Sequence, residues 1–235
     1  MKSINKTARI AGVLYLLIAV CGGFAFFGGF ESLIISGDAN ATASNILESV
    51  FLFRIGAVAD SFVFLMEIIL TVLLFILFKP VNKTYSSIAA LARLAMTTMI
   101  GMNILNKLIV LQLLSGSDYL SVFNQDQLNA LVLLFLNAYS YVSLIWGIFF
   151  SLHLLVIAYL IIKSTFFPKV LGFLFLFASA GYFIDSVGYI LLPQFKEIYT
   201  MVVLSTIPAE LSFALWLVIR GVNADLWNKR KLENN

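Results

Sequence analysis

Long apolar runs separated by short polar stretches organise the chain. The first extends from Ile10 to about Phe30, the second from about Ile55 to Phe78, and the third lies within Ser86–Leu114. Three more follow in the second half. A hydrocarbon core about 30 Å thick is crossed by about 20 apolar residues in helical form. The pattern therefore predicts six transmembrane helices, at about 10–30, 55–78, 88–113, 139–162, 169–192 and 199–220. The expected fold class is all-α: an integral membrane helical bundle of six transmembrane helices in a single domain, with short interfacial helices on the outer side.

Polar punctuation sets the boundaries. Ser36-Gly37-Asp38 is a turn signal, and Asn45 with Glu48 three residues later reads as a helix start leading into span two. Lys79-Pro80 ends that span, because proline cannot continue the backbone ladder. Ser115-Gly116-Ser117-Asp118 closes span three, and Asn124 with Gln127 resembles a capping box. From Gln125 to Ile162 no breaker intervenes, a length of about 57 Å at 1.5 Å per residue. An interfacial segment, a bend near Asn137–Tyr141 and then span four are expected there. Pro168 and Pro193 bound span five, and Pro208 is expected to kink span six.

Composition agrees. Of 235 residues, 61% are hydrophobic and 11% charged, against about 25% charged in soluble chains. The one cysteine, Cys21, excludes an internal disulfide and is read as a core residue, and the one histidine, His153, excludes paired-histidine metal motifs. The net charge of +3 is no nucleic-acid signal. No cofactor or metal is expected. The first run is too long for a signal-peptide core and is read as a retained helix.

Charge also orients the chain. One set of loops and termini holds Lys2, Lys6, Arg9, Lys79, Lys83, Lys163, Lys169, Arg220, Lys229, Arg230 and Lys231. The opposite loops hold mainly acidic residues, with Lys196 and, at the outer mouth of span two, Arg54. The positive-inside rule then puts both termini in the cytoplasm of a cell whose inner (plasma) membrane the chain crosses. Trp216, Trp227, Tyr85 and Tyr199 fall near expected boundaries, as interface anchors do.

Candidate chemistry is confined to ionisable groups inside the spans: Asp60 and Glu67, Arg93 and Lys107, His153, Asp185, and Glu210. A charge at mid-bilayer costs about 2.5–3.5 kcal/mol on insertion scales, so these groups should face inward and pair. Depth counting predicts two polar layers. The outer joins Lys107 with Asp60 and Asp185, with Arg54 as a further candidate, and the central joins Arg93 with Glu67 and Glu210 beside His153. Helical spacing supports inward faces. Asp60 and Glu67 are seven apart, as are Trp146 and His153; Arg93, Asn103 and Lys107 share a stripe; Tyr182, Asp185, Ser186 and Tyr189 follow i, i+3, i+4, i+7. The candidate buried polar site is thus Asp60, Glu67, Arg93, Asn103, Lys107, His153, Tyr182, Asp185 and Glu210. Span one brings no charge to it and is expected at the bundle's edge. For any single pair the residues also allow a purely structural role, in which the charges only lock register and topology; the set as a whole favours function.

A set of short motifs carries a family resemblance. They are Thr7-Ala8-Arg9-Ile10-Ala11-Gly12 with Leu14-Tyr15-Leu16, Gly37-Asp38-Ala39, Asn45-Ile46-Leu47, Phe53-Arg54-Ile55-Gly56 with Ala59-Asp60, Leu152-His153, Pro168-Lys169-Val170-Leu171-Gly172, Gly181-Tyr182 with Asp185-Ser186, and Glu210-Leu211. In this order and spacing the chain resembles, over nearly its whole length, the bacterial multi-pass membrane proteins grouped as domain of unknown function 4386. Where that family carries Asp in the middle of span two, this chain carries Glu67. The resemblance implies a helical membrane fold and no activity.

Three functions are weighed. The first is binding or transport of a small polar or ionic substrate, with proton coupling through the buried carboxylates and His153. The second is a non-transporting sensor, assembly factor or scaffold. The third, a membrane-embedded enzyme, lacks a hydrolase motif or ligand set and is not expected. Membrane lipid is the one expected partner besides such a substrate; the sequence does not specify an oligomer.

Overall fold

The computed structural model describes residues 2–27 and 31–234, and among these it contains helices and turns but no strand. The helices are α1 (Lys2–Phe27), α2 (Ala39–Glu48), α3 (Val50–Phe78), α4 (Lys83–Leu113), α5 (Gln125–Lys163), α6 (Lys169–Leu191), α7 (Lys196–Leu204), α8 (Ile207–Ile219) and α9 (Ala224–Glu233). Six stretches are long and apolar enough to cross a membrane: Ile4–Phe24 within α1, then α3, α4, α5, α6, and Pro193–Ile219, which holds α7 and α8. The all-α fold read from the sequence is therefore the observed one. Phe30, the expected end of span one, lies outside the described residues. Large apolar side chains such as Phe51, Phe62, Leu91, Met102 and Ile219 remain exposed along these helices. Bilayer hydrocarbon is the surrounding that makes such faces favourable.

Local chemistry accounts for the helix ends. The α2 cap is Asp38, whose carboxylate accepts from Ala41 N at 2.9 Å. The start expected at Asn45 is thus one of the middle turns of α2, and the Asn45 amide instead donates to Leu33 O. The capping box at α5 is formed: Asn124 Oδ1 accepts from Gln127 N, and Gln127 Oε1 from Asn124 N, both at 2.9 Å. Gly37 and Gly116 take φ of 79° and 69° in the expected turns, a region open to glycine.

α5 runs as one helix of 39 residues through Asn137–Tyr141, so the expected interfacial segment and span four are continuous; with no glycine or proline between Gln125 and Trp146, nothing there removes a ladder hydrogen bond. Another feature departs from expectation. Span six, expected as one kinked helix, is two. Pro208 has no N–H to give to the turn before it, so α7 ends at Leu204 and α8 starts at Ile207. The intervening Ser205 and Thr206 hydroxyls donate to Val202 O and Val203 O, each at 2.6 Å.

The chain forms two compact units. The first comprises the described parts of Met1–Ala19, Met66–Thr97 and Leu144–Asn235. Its core runs through Ile4, Ala8, Ala11 and Tyr15 of α1, Leu70, Leu74 and Leu77 of α3, Leu154, Ile157 and Ile161 of α5, Phe175 of α6, and Phe213 and Leu217 of α8. Trp227 of α9 is buried in it and donates its indole N–H to Leu77 O at 2.9 Å. Small residues let α1 and α8 approach closely. A methyl carbon at Gly12 would sit 2.8 Å from the Ala214 carbonyl oxygen and 2.8 Å from Leu217 Cβ, both fixed atoms. Gly12→Ala should therefore lower stability by about 1–3 kcal/mol, the usual cost of overpacking, read as a lower melting temperature of the purified protein in detergent.

The second unit comprises Val20–Leu65 and Thr98–Ser143, as far as they are described. Its smaller core joins Leu33, Ile46, Phe53, Val110, Val132 and Leu136. Polar side chains join elements here too: Asn129 Nδ2 of α5 donates to Asn40 Oδ1 of α2 at 2.7 Å.

Candidate functional site

In the first unit the polar residues converge on Arg93 of α4, which is 1% exposed. Its Nε donates to Glu67 Oε2 of α3 at 2.7 Å. Its Nη1 donates to Tyr15 Oη of α1 at 3.3 Å and faces His153 Nε2 of α5 at 3.0 Å. The guanidinium carbon also lies 4.9 Å from the centre of the Tyr15 ring and 5.9 Å from that of Phe150. A cation packed against aromatic faces and a carboxylate keeps its charge compensated without water.

The histidine's tautomer follows from its partners. His153 Nδ1 lies 2.8 Å from Ala89 O, which can only accept. Arg93 can only donate. So Nδ1 carries the proton, Nε2 offers its lone pair to Arg93, and the ring is neutral. Both of its nitrogens are satisfied, as is the charge of Arg93.

Glu210 is placed differently. It was expected to join Glu67 on Arg93, but the ion pair of Arg93 is with Glu67. Glu210, in the first turn of α8 just past the break in span six, accepts from Tyr182 Oη of α6 at 2.8 Å. Among the described residues it makes no ion pair. The rotation of α8 about its axis, which depth counting ignores, directs the carboxylate to α6.

An aromatic group adjoins this carboxylate. Tyr182 meets Trp146 edge-on at 5.8 Å between centroids and Phe150 at 4.8 Å. Trp146 stacks on Phe150, and Phe150 on His153, so the expected shared face of Trp146 and His153 is real. The Tyr182 stripe is inward as expected: Ser186 is buried and Asp185 half-buried, whereas Phe183 and Ile184 between them are exposed. Yet Trp146 Nε1 and Ser186 Oγ are buried and find no hydrogen-bond partner among the described residues. The two sides of the site therefore contrast. Around Arg93 the charge is met by Glu67, whereas Glu210 has a phenol partner and no ion pair among the described residues.

The second unit holds its own ion pair. Lys107 Nζ of α4, fully buried, donates to Asp60 Oδ2 of α3 at 2.7 Å. The same Asp60 oxygen accepts from Tyr139 Oη of α5 at 3.2 Å, and the ammonium lies 4.6 Å from the Tyr139 ring centre. Asn103 is buried nearby in sequence; its amide donates to Tyr139 O at 2.9 Å and its oxygen accepts from Asn106. The carboxylate paired with Lys107 is Asp60; Asp185, expected beside it, belongs to the first unit. Arg54 is exposed in the second turn of α3.

Sequence reasoning finds Tyr182 but not the phenols of Tyr15 and Tyr139. Tyr15 corrects the expectation for span one: α1 is no mere edge helix, because Tyr15 is 3% exposed and bonded to Arg93. Ala8, Ala11, Gly12 and Tyr15 stand at i, i+3, i+4 and i+7, a stripe of small residues ending in a tyrosine. That stripe was the available signal. Tyr139 had none beyond its place in an apolar run.

Comparison with known proteins gives a family and no activity. A stretch of 74 residues, 32% of this chain, is 40% identical to an uncharacterised protein of Archaeoglobus fulgidus. The match spans 43% of that relative's length. No solved structure matches the chain. The family model described as "Domain of unknown function (DUF4386)" matches residues 10–221. With that match running from Ile10 within α1 past the end of α8, the chain belongs to the DUF4386 family, and its six long apolar helices mark it as a membrane protein.

Proposed function

We propose that this protein binds, and carries across the inner (plasma) membrane, a small solute with a cationic or donor group, with a proton as its competitor for Glu210. The observation that carries this reading is the state of Glu210: a carboxylate inside an apolar span whose hydrogen-bond partner is a neutral phenol and which makes no ion pair among the described residues. A charge so placed is costly until a proton or a cation neutralises it. The buried indole N–H of Trp146, whose ring meets that of Tyr182, is a further donor without a partner among the described residues. The break between α7 and α8 beside Glu210 supports it too, since interrupted spans mark binding sites in secondary transporters. The role is one of binding and transport rather than catalysis, and the basic loops support cytoplasmic termini.

The second reading, a scaffold or sensor, draws on the saturated Arg93 and Lys107 networks. The two readings separate experimentally. Small amines, zwitterions and anions of matched size are added to the purified protein and its melting followed at several pH values. A solute at about a hundred times its Kd should add about 2.7 kcal/mol to the parent's stability. Glu210→Gln should fold, be no less stable than the parent without ligand, and lose both that gain and its pH dependence. If parent and variant respond alike to every solute and every pH, transport through Glu210 is wrong and the scaffold stands.

A further inference from the structure

The second unit has a groove that the transport reading does not use. It is an open surface groove of about 420 Å³. Arg54, Ala57, Val58 and Ser61 line it from α3, and Ile104, Leu108 and Leu111 from α4. On α3 these positions are i, i+3, i+4 and i+7, and on α4 they are i, i+4 and i+7, so two helical stripes form its walls. The Ser61 hydroxyl is turned to Ala57 O at 3.0 Å, which leaves an apolar lining. Charge enters only at one end. Arg54 is exposed in the second turn of α3 and forms no ion pair among the described residues.

We infer that this groove binds an anionic phospholipid, with its phosphate on Arg54 and part of an acyl chain against Ala57, Ser61, Ile104 and Leu108. Three observations select this occupant. The groove runs about 10 Å along α3 from Arg54 to Ser61, too far for a free anion to use its apolar part. A guanidinium near the start of a membrane-spanning helix lies at headgroup depth, where it forms bidentate contacts with phosphate. An exposed arginine without a carboxylate partner calls for a negative ligand.

Native mass spectrometry of the full-length protein in detergent tests this with phosphatidylglycerol and phosphatidylcholine of identical chains. The first phosphatidylglycerol should bind about fivefold more tightly than the first phosphatidylcholine, the preference of one basic residue for an anionic headgroup. Arg54→Gln should remove that preference and leave phosphatidylcholine binding unchanged, while Arg54→Lys keeps most of it. Ala57→Leu, which fills the groove, should weaken both lipids. Arg54 is exposed, so its variants should elute in gel filtration as the parent does. Equal affinity of the parent for the two lipids would overturn the inference, as would a preference that survives Arg54→Gln. So would displacement of the lipid by millimolar inorganic phosphate, which would mark a free-anion site. A change in oligomeric state caused by Ala57→Leu without lipid would assign the groove to a second copy of the chain instead.

Discussion

Arg93→Met should destabilise the protein by about 3–5 kcal/mol, the cost of leaving one member of a buried ion pair uncompensated. The guanidinium is 1% exposed and serves Glu67, Tyr15 and His153 at once. Its loss leaves the Glu67 carboxylate, whose side chain is 5% exposed, without a cation and His153 Nε2 without a donor. Methionine replaces much of the volume, so packing contributes little to the effect. Joint replacement, Arg93→Met with Glu67→Leu, should recover most of the loss, because an apolar pair of similar volume often serves as well as a buried ion pair. Equilibrium unfolding in mixed micelles gives the cycle. A single-variant loss below about 1 kcal/mol, the value typical of exposed pairs, would show that the pair is not held out of water.

Lys107→Met should be the next most damaging change, at about 3 kcal/mol. Asp60 would lose its ammonium while keeping the Tyr139 hydroxyl, and its side chain is 12% exposed, so some water can reach it. That is why the expected loss is smaller than for Arg93. Tyr139→Phe should cost less again, about 1 kcal/mol, since it removes one hydrogen bond and keeps the ring beside Lys107. Melting of the three proteins in one detergent orders them: parent, Tyr139→Phe, Lys107→Met. An inverted order would mean that the phenol rather than the ammonium holds Asp60.

Much of this was legible in the sequence because a bilayer imposes simple rules. Spans announce themselves by length, and the charges within them must face each other. Depth counting put Glu67, Arg93 and His153 in one layer and Asp60 with Lys107 in another, and both groupings hold within their units. What depth cannot supply is rotation about the helix axis. Glu210 and Glu67 lie at similar depth, and only the orientation of α8 sends one to Tyr182 and leaves the other with Arg93. Two of the buried tyrosines escape the sequence for a related reason. A phenol in an apolar run is as compatible with packing as with a polar role, so Tyr15 and Tyr139 were seen only once the helices were in place. Pro208 was recognised as a disruption, but the proline's missing N–H acts one turn upstream, and so the interruption falls at Ser205 and Thr206.

These features divide the buried charges into two kinds. Arg93 with Glu67 and Lys107 with Asp60 hold the helices of their units together. Glu210 stands apart, and the proposed transport role rests on it. Infrared difference spectroscopy of the purified protein between acidic and alkaline pH examines that carboxylate directly. The parent should show the carbonyl band of a protonated carboxylic acid that changes with pH, and Glu210→Gln should lack that change while Glu67→Gln in the folded protein retains it. Identical difference spectra for the parent and Glu210→Gln would contradict the account, because Glu210 would then exchange no proton with its surroundings.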